Sequence, residues 1–342
     1  MLDLRSDTAT TPTAEMRAAM ADAEVGDAKR SEDPTVTELE ARAAEAVGKS
    51  AALFVPTGTM ANQLAARVHA GRDEEVLVER ESHFYRGDSR GFVQSTSLQV
   101  HSFDGGERGI PSAAVIKSHI VGPDTHKPST GLLTLENTHS VKGGLAVDID
   151  RIDEAAHAAQ DLNVPVHLDG SRLFNAAIAL DEPAERVARS VDSVMFCLSK
   201  GLGAPVGSVL VGSDEFVERA RAKAKRLGGG MRQAGVLAGA GLVALQTTGE
   251  LERDHEHARL LAARLNDETP LVCQPPETNI VHADTSPTDL SASDLVSEAR
   301  DRSVGCAVRK PQVVRLCAHR DLGRQDINEA ASRLARIFHT AS

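Results

Sequence analysis

The order of apolar and helical segments predicts an α/β fold, a mostly parallel central sheet followed by a smaller C-terminal α+β domain. Two observations carry this. Between about residues 35 and 245, short apolar runs alternate with alanine-rich stretches of helical period. After Gly249 the pattern changes to a charged helix, a few strands and a last amphipathic helix. Strands separated by whole helices pair in parallel and are covered on both faces. The expected division is residues 1–249 and residues 250–342.

In order, Thr35-Val-Thr-Glu38 reads as a capping box that opens a helix. That helix has Val36, Leu39, Ala43 and Val47 on one face and Gly48 as its stop. Ala51–Val55 is a short strand, and Gly58–His69 resumes a helical period. Residues 75–78, 131–135, 164–168, 191–198 and 207–211 are further strands, with a helix over 150–162 between them. Beyond the change of pattern come a charged helix at about 250–267, a strand at 280–282 and a helix near 289–302. A hairpin at 305–309 and 312–317 follows, then a helix using Ile327, Leu334 and Ile337.

A chain of 342 residues with 41% apolar and 25% charged residues has the composition of a soluble globular protein of about two domains. A net charge of −11 argues against nucleic acid or an anionic membrane as the main partner. No apolar run reaches the roughly 18 residues of a membrane span, and the first residues lack a signal peptide's apolar region. Cys197, Cys273, Cys306 and Cys317 are scattered, form no Cys-x-x-Cys pair, and read as small apolar fillers in a reducing cytosol. No histidine pair has metal-ligand spacing, so no metal site is expected.

Two strand ends carry the chemistry. The run 191–198 closes on Ser199-Lys200-Gly201-Leu202-Gly203, where an amine can be desolvated and made nucleophilic toward carbonyls. The run 164–168 closes on Asp169-Gly-Ser-Arg172. A strand-end aspartate followed by a strand-end lysine suits pyridoxal 5'-phosphate, with Lys200 forming the Schiff base and Asp169 holding the pyridinium proton. A structural lysine–aspartate pair is the plain alternative.

Other segments fit around that pair. Pro56-Thr57-Gly58-Thr59-Met60-Ala-Asn62 joins a strand to a helix start, where N–H groups and the helix dipole suit a phosphate, or simply cap the helix. Gly201-x-Gly203-x-x-x-Gly207 has the wrong spacing for a dinucleotide fingerprint and is followed by a strand. His83, after the 75–78 strand, can stack on a planar cofactor or exchange protons near neutral pH. His126 lies in a polar loop, and both histidines have ordinary surface roles as alternatives. Gly228-Gly-Gly-Met-Arg232 is a basic glycine turn suited to close approach by a ligand or another subunit. Arg315, in an alternating strand beside Arg309 and Lys310, can grip a carboxylate or remain a solvated charge.

Taken together the chain resembles the threonine aldolase family, a β-eliminating-lyase-like branch of the fold-type-I PLP-dependent transferase-like enzymes. The resemblance spans nearly the whole chain and rests on six segments. They are Asp3-Leu-Arg-Ser-Asp-Thr8, Phe54-Val-Pro-Thr-Gly-Thr-Met-Ala-Asn62 and Glu136-Asn-Thr-His139, then His167-Leu-Asp-Gly-Ser-Arg172, residues 198–208, and Gly228-Gly-Gly-Met-Arg-Gln-Ala-Gly235.

The resemblance implies that Lys200 carries the cofactor, Asp169 pairs with its ring nitrogen and His83 stacks on the ring. Gly58 and Thr59 would hold the phosphate, with Lys225 or Arg232 added by a neighbouring subunit. Ser6, Arg172 and Arg315 would bind the substrate carboxylate, and His126 the β-hydroxyl. It further implies a homo-oligomer, dimer or tetramer, with shared active sites, cleaving L-threonine or L-allo-threonine to glycine and an aldehyde. The base is His83 or, preferably, a water ordered by His126 and His83. Residues 26–34 depart from the family's Gly-Asp-Asp-Val-Tyr-Gly-Glu-Asp-Pro by losing the tyrosine and gaining Lys29-Arg30. Those cations would favour an acidic substrate such as β-hydroxyaspartate, and β-elimination is the other alternative.

Overall fold

The computed structural model describes residues 1–88, 98–123 and 126–339. Ser89 and Arg90 of the charged stretch after His83, and Asp124 and Thr125 ahead of His126, lie outside the described residues. The amino-terminal strand β1 is Leu2–Asp3. The apolar runs then form β2 Ala51–Val55, β3 Glu74–Glu79, β4 Gln99–Phe103, β5 Ser129–Glu136, β6 Val166–Asp169, β7 Ser193–Cys197 and β8 Ser208–Gly212.

Strands β2 to β8 make one seven-stranded sheet in the order β2-β8-β7-β6-β5-β3-β4. It is mostly parallel, as expected, and β8 runs antiparallel to both neighbours, β2 and β7. Residues 198–207 join β7 to β8 without a helix. That link is shorter than the dozen or more residues a parallel crossover needs, so the chain turns back. β4 pairs in parallel with β3 at the sheet edge and was not expected from the sequence. Its Gln99, His101 and Ser102 give it no apolar run, which an edge strand does not require.

Alternation along each strand divides the core between the two faces. Val194 and Phe196 join Leu133, Leu168 and Val209 beneath the helices Pro34–Ala46 and Ile149–Gln160. Met195 and Cys197 face the other way, packing with Val55 and Leu210 under the helices Gly58–His69 and Asp214–Arg226. The helix expected to open on a capping box at Thr35 starts two residues earlier. Asp33 is its N-cap, accepting from Val36 N at 3.0 Å, and Pro34 supplies the fixed φ of the first turn.

The C-terminal part adds β9 Val272–Cys273, β10 Ile280–Asp284, β11 Val304–Gly305, β12 Ala307–Lys310 and β13 Val313–Cys317. Four of these form an antiparallel sheet, β12-β13-β10-β9, and the expected hairpin is β12–β13. The helices Leu251–Glu268, Ala292–Asp301 and Arg324–His339 cover it around a second core. β1 pairs in parallel with β11, and Leu4 enters that second core fully buried, which contributes ~2 kcal/mol. Among the described residues no helix is long and apolar enough to cross a membrane.

Candidate active site

β6 and β7 lie side by side in parallel, with Asp169 opposite Met195. Asp169 is therefore the last residue of its strand, and Lys200 sits just past the end of the next. The Asp169 carboxylate is buried. Its Oδ2 accepts from Asn62 Nδ2 at 2.9 Å and its Oδ1 from Ser171 N at 3.0 Å. Asn62 is on the helix Gly58–His69, whose start crosses the strand ends closely. A Cβ on Gly58 would stand 2.8 Å from Met195 Cε and 3.1 Å from Cys197 Sγ. Thr57 caps this helix from outside, accepting from Met60 N at 3.1 Å.

Behind Asp169 a line of hydrogen bonds runs through the sheet. Asn62 Oδ1 meets His167 Nε2 at 3.1 Å, His167 Nδ1 meets Ser193 Oγ at 2.9 Å, and Ser193 Oγ meets His69 Nε2 at 2.8 Å. Burial pushes His167 down to about 3 and His69 down to about 4, so both imidazoles are neutral near pH 7. His69 ends the line stacked on Phe216 with centroids 4.7 Å apart.

The end of β5 supplies a second buried carboxylate. Glu136 Oε2 accepts from His83 N at 2.6 Å and Oε1 from Ser140 N at 2.8 Å. Burial raises its pKa, helped by the Asp169 charge and opposed by His139. His139 is itself buried, with Nε2 3.1 Å from Glu79 Oε2. Burial disfavours its charged form, but the hydrogen bond to Glu79 and the charge of Glu136 prevail and raise its pKa. The His83 side chain is exposed. It lies against Gly87, where a Cβ would stand 2.8 Å from Nε2.

The amino-terminal segment closes one side. Asp7, fully buried, receives Arg172 Nε at 2.6 Å on Oδ2 and Arg172 Nη2 at 2.7 Å on Oδ1. Asn279 Nδ2 adds a third bond at 3.2 Å. The Asp7 acid is held far below its usual range because the Arg172 charge outweighs burial. Thr10 Oγ1 donates to Lys200 O at 2.8 Å, tying this segment to the lysine loop. Ser6 Oγ accepts from Thr8 N and lies next to this pair in the chain. Arg315 Nη2 donates to Arg5 O at 2.8 Å.

Lys200, Asp169, Gly58, Arg172 and Ser6 therefore gather around the ends of β6 and β7 or the segment crossing them. Arg172 differs from expectation in being committed to Asp7. Only Nη1, 3.4 Å from Ser140 Oγ, points elsewhere. Thr59 and His126 are exposed. Lys225 and Arg232 lie with Lys29, whose pKa they depress by repulsion. Lys225 and Lys29 line a cavity of about 310 Å³ with Glu40, Arg221 and Met231, while Arg232 pairs with Asp27 at 2.7 Å. Among the described residues no hydrogen bond joins Lys29, Arg30, Lys225 or Arg232 to Lys200 or Asp169.

Asn62, His167, Glu136 and Asp7 were quoted in motifs but given no role. For Asn62, His167 and Glu136 a polar type beside apolar residues is the available signal, whereas Asp7 stands among polar residues and carries none. Among the described residues no group of three or more histidine, cysteine or carboxylate side chains is placed to hold a metal.

Comparison with known proteins extends this picture. The beta-eliminating lyase family matches residues 3–287. The chain is 40% identical to a probable low-specificity L-threonine aldolase 2 from Arabidopsis thaliana, over 99% of this chain and 98% of that protein. It is 37% identical to a low specificity L-threonine aldolase from Escherichia coli, over 97% and 98% respectively. Among solved structures it is similar to a Leishmania major threonine aldolase at a TM-score of 0.84 and 18% identity, covering 98% of this chain and 99% of that one.

Proposed function

We propose, for a chain that belongs to the beta-eliminating lyase family and within it to the threonine aldolases, that it cleaves β-hydroxy-α-amino acids to glycine and an aldehyde. L-threonine and L-allo-threonine are the leading substrates, and pyridoxal 5'-phosphate is the cofactor. The observation that carries this reading is the buried Asp169 carboxylate, fixed by Asn62 and Ser171, one strand away from Lys200.

The residues present fit that cofactor. Lys200 supplies an amine for its covalent attachment. Both Asp169 oxygens act as acceptors, so the carboxylate is oriented to take a further N–H from a ring nitrogen. The space that a Gly58 side chain would fill lets the helix start come down onto the strand ends, where N–H groups and the helix dipole suit a phosphate. Pyridoxal phosphate, when bound, supplies an electron sink conjugated to the amino acid's α-carbon.

The chain's own residues do the rest. Arg315, Ser6 and the Nη1 edge of Arg172, which Asp7 leaves unclaimed, hold the substrate carboxylate and so orient the Cα–Cβ bond. His83 is anchored through its backbone by Glu136, and its ring, like that of His126, is exposed. These two imidazoles order the water that removes the β-hydroxyl proton as the Cα–Cβ bond breaks. Cα then takes up a proton and glycine leaves.

A homo-oligomer, dimer or tetramer, in which a neighbouring copy brings Lys225 and Arg232 to the phosphate, fits the absence, among the described residues, of a hydrogen bond from either to Lys200 or Asp169. Four free, buried cysteines suit the reducing cytosol.

The test is product analysis of the PLP-loaded protein with L-threonine. Glycine and acetaldehyde in equal amounts are expected, whereas ammonia with a keto acid would replace cleavage by elimination. His126→Ala should slow cleavage far more than it weakens cofactor binding, and undiminished turnover would remove His126 from the site.

A further inference from the structure

One face of the small sheet carries more positive charge than a single carboxylate uses. His282 of β10 is opposite Arg315 of β13, and Arg315 is opposite Ala307 of β12. Arg309 follows at the bulge between Val308 and Lys310, half-buried like Ala307 and within electrostatic reach of both Arg315 and His282. This face meets loops at the active-site end of the large sheet. The His282 ring rests on Gly143, where a Cβ would stand 3.4 Å from Nδ1. Arg309 lies within the electrostatic reach of Glu136, Glu81 and Arg86.

Four polar atoms here are shielded from solvent and have no hydrogen-bond partner among the described residues. They are Arg309 Nε and Nη2, Arg315 Nε and His282 Nε2. Burial disfavours the Arg309 charge, and repulsion from Arg315 and Arg86 adds to that. The two carboxylates near it are engaged elsewhere. Glu81 is paired with Lys142 at 2.9 Å, and Glu136 accepts from His83 N and Ser140 N. Burial holds His282 down at about 4, with Arg309, Arg315 and Lys310 adding repulsion, so it contributes no balancing charge. A half-buried guanidinium with unmade hydrogen bonds is costly unless an anion completes it.

We propose that Arg309 is an anion subsite for the substrate's side chain, so that this chain accepts β-hydroxy-α-amino acids carrying a second carboxylate, of which 3-hydroxyaspartate is the simplest. The proposal rests on the aldolase reading above for the reaction. Arg309 is the extra residue where the β12–β13 register shifts between Val308 and Lys310, and it lies within electrostatic reach of Arg315. Their long side chains can grip the two ends of one four-carbon dicarboxylate. Cleavage of the Cα–Cβ bond then yields glycine and glyoxylate. The β-hydroxyl gives up its proton and becomes the aldehyde oxygen of glyoxylate, while the bonding pair stays on Cα, which takes up one proton.

The experiment compares 3-hydroxyaspartate with L-threonine on the PLP-loaded protein and on Arg309→Ala and Arg309→Lys. Loss of a charge-paired hydrogen bond predicts a fall of roughly 30-fold or more in kcat/KM for 3-hydroxyaspartate in Arg309→Ala, carried by KM. The fall for L-threonine should be much smaller, and Arg309→Lys should recover part of the loss. Equal losses on both substrates would assign Arg309 to the shared α-carboxylate and overturn the proposal. So would an unchanged ratio, or a native protein that cleaves threonine but not 3-hydroxyaspartate. Calorimetry with succinate separates the two readings. Succinate binding that Arg309→Ala abolishes, in a protein that cleaves neither amino acid, would keep the subsite and remove the aldolase. Succinate binding unaffected by Arg309→Ala would remove the subsite.

Discussion

Asn62 Nδ2 donates to Asp169 Oδ2 at 2.9 Å, and this bond fixes the direction of every hydrogen bond behind it. With its nitrogen committed, Asn62 presents its oxygen to His167, so His167 Nε2 carries the proton and Nδ1 accepts from Ser193. The Ser193 oxygen in turn accepts from His69 Nε2. Asn62→Ala removes one of the two donors to a buried carboxylate and breaks the line. Bonds to charged groups are worth ~1.5–3 kcal/mol, so the PLP dissociation constant should rise roughly 10-fold or more. Absorbance titration of the apoprotein with PLP reads it, and an unchanged constant would show that Ser171 N alone suffices to orient Asp169.

Asp7 and Arg172 make a buried bidentate pair, and Asn279 completes the carboxylate. Replacing Asp7 by Asn leaves the guanidinium buried without a counter-charge, at a cost of ~3–5 kcal/mol. Denaturant unfolding should show that loss in Asp7→Asn, together with a raised KM because Arg172 is no longer held toward Ser140. A variant as stable as the native protein would mean that water or a bound anion replaces Asp7.

The contrast between Asp169 and Asn62 shows what the sequence could convey. Lys200 and Asp169 each close an apolar run, so their position at a strand end is a local property of the chain. The line behind Asp169 joins residues 62, 69, 167 and 193, brought together only by helix-on-sheet packing. No spacing rule links them. β4 escapes notice because an edge strand can be polar, and the helix starts two residues before the Thr35 capping box because Asp33-Pro34 caps it better. The antiparallel course of β8 follows from a link too short to cross over, which is visible once the helix-free loop is recognised. Arg309 and Arg315 are near each other in sequence, but the unmade hydrogen bonds of Arg309 depend on its place at the β12 bulge and on the groups of the large domain within its electrostatic reach, which no spacing shows.

Asp254 gives the pH dependence of stability a definite sign. It is fully buried on the helix Leu251–Glu268, and neither carboxylate oxygen has a hydrogen-bond partner among the described residues. Burial pushes its pKa up to about 7, with the Arg253 charge opposing and the Asp7 charge adding to it. Between its unfolded value near 4 and about 7 the folded state binds more protons than the unfolded one, so its contribution to stability falls as pH rises. The buried histidines 69, 167 and 255 work the other way, losing stability as pH falls below about 6.5. Asp254→Asn should therefore gain on the native protein progressively from pH 4 to pH 7, reaching on the order of 4 kcal/mol. Unfolding curves across that range measure it, and a constant difference at all pH values would contradict the assignment.

Gly58 is needed for space. A methyl group there would stand 2.8 Å from Met195 Cε, which is the mobile end of a side chain, and 3.1 Å from Cys197 Sγ, which is buried in the sheet. Met195 can give way, so Gly58→Ala should fold with a modest loss in melting temperature. Cys197 has less freedom, and the helix start must therefore lift away from the ends of β6 and β7. The N–H groups of that first turn are the ones assigned to the phosphate, whose attraction falls off within one turn. Gly58→Ala is thus expected to weaken PLP binding while leaving far-ultraviolet circular dichroism unchanged. Gly58→Val should weaken it further, because its larger side chain increases the displacement. Affinity preserved in both variants would mean that the phosphate is held away from this helix, and would transfer the role to the basic cluster of Lys225 and Arg232.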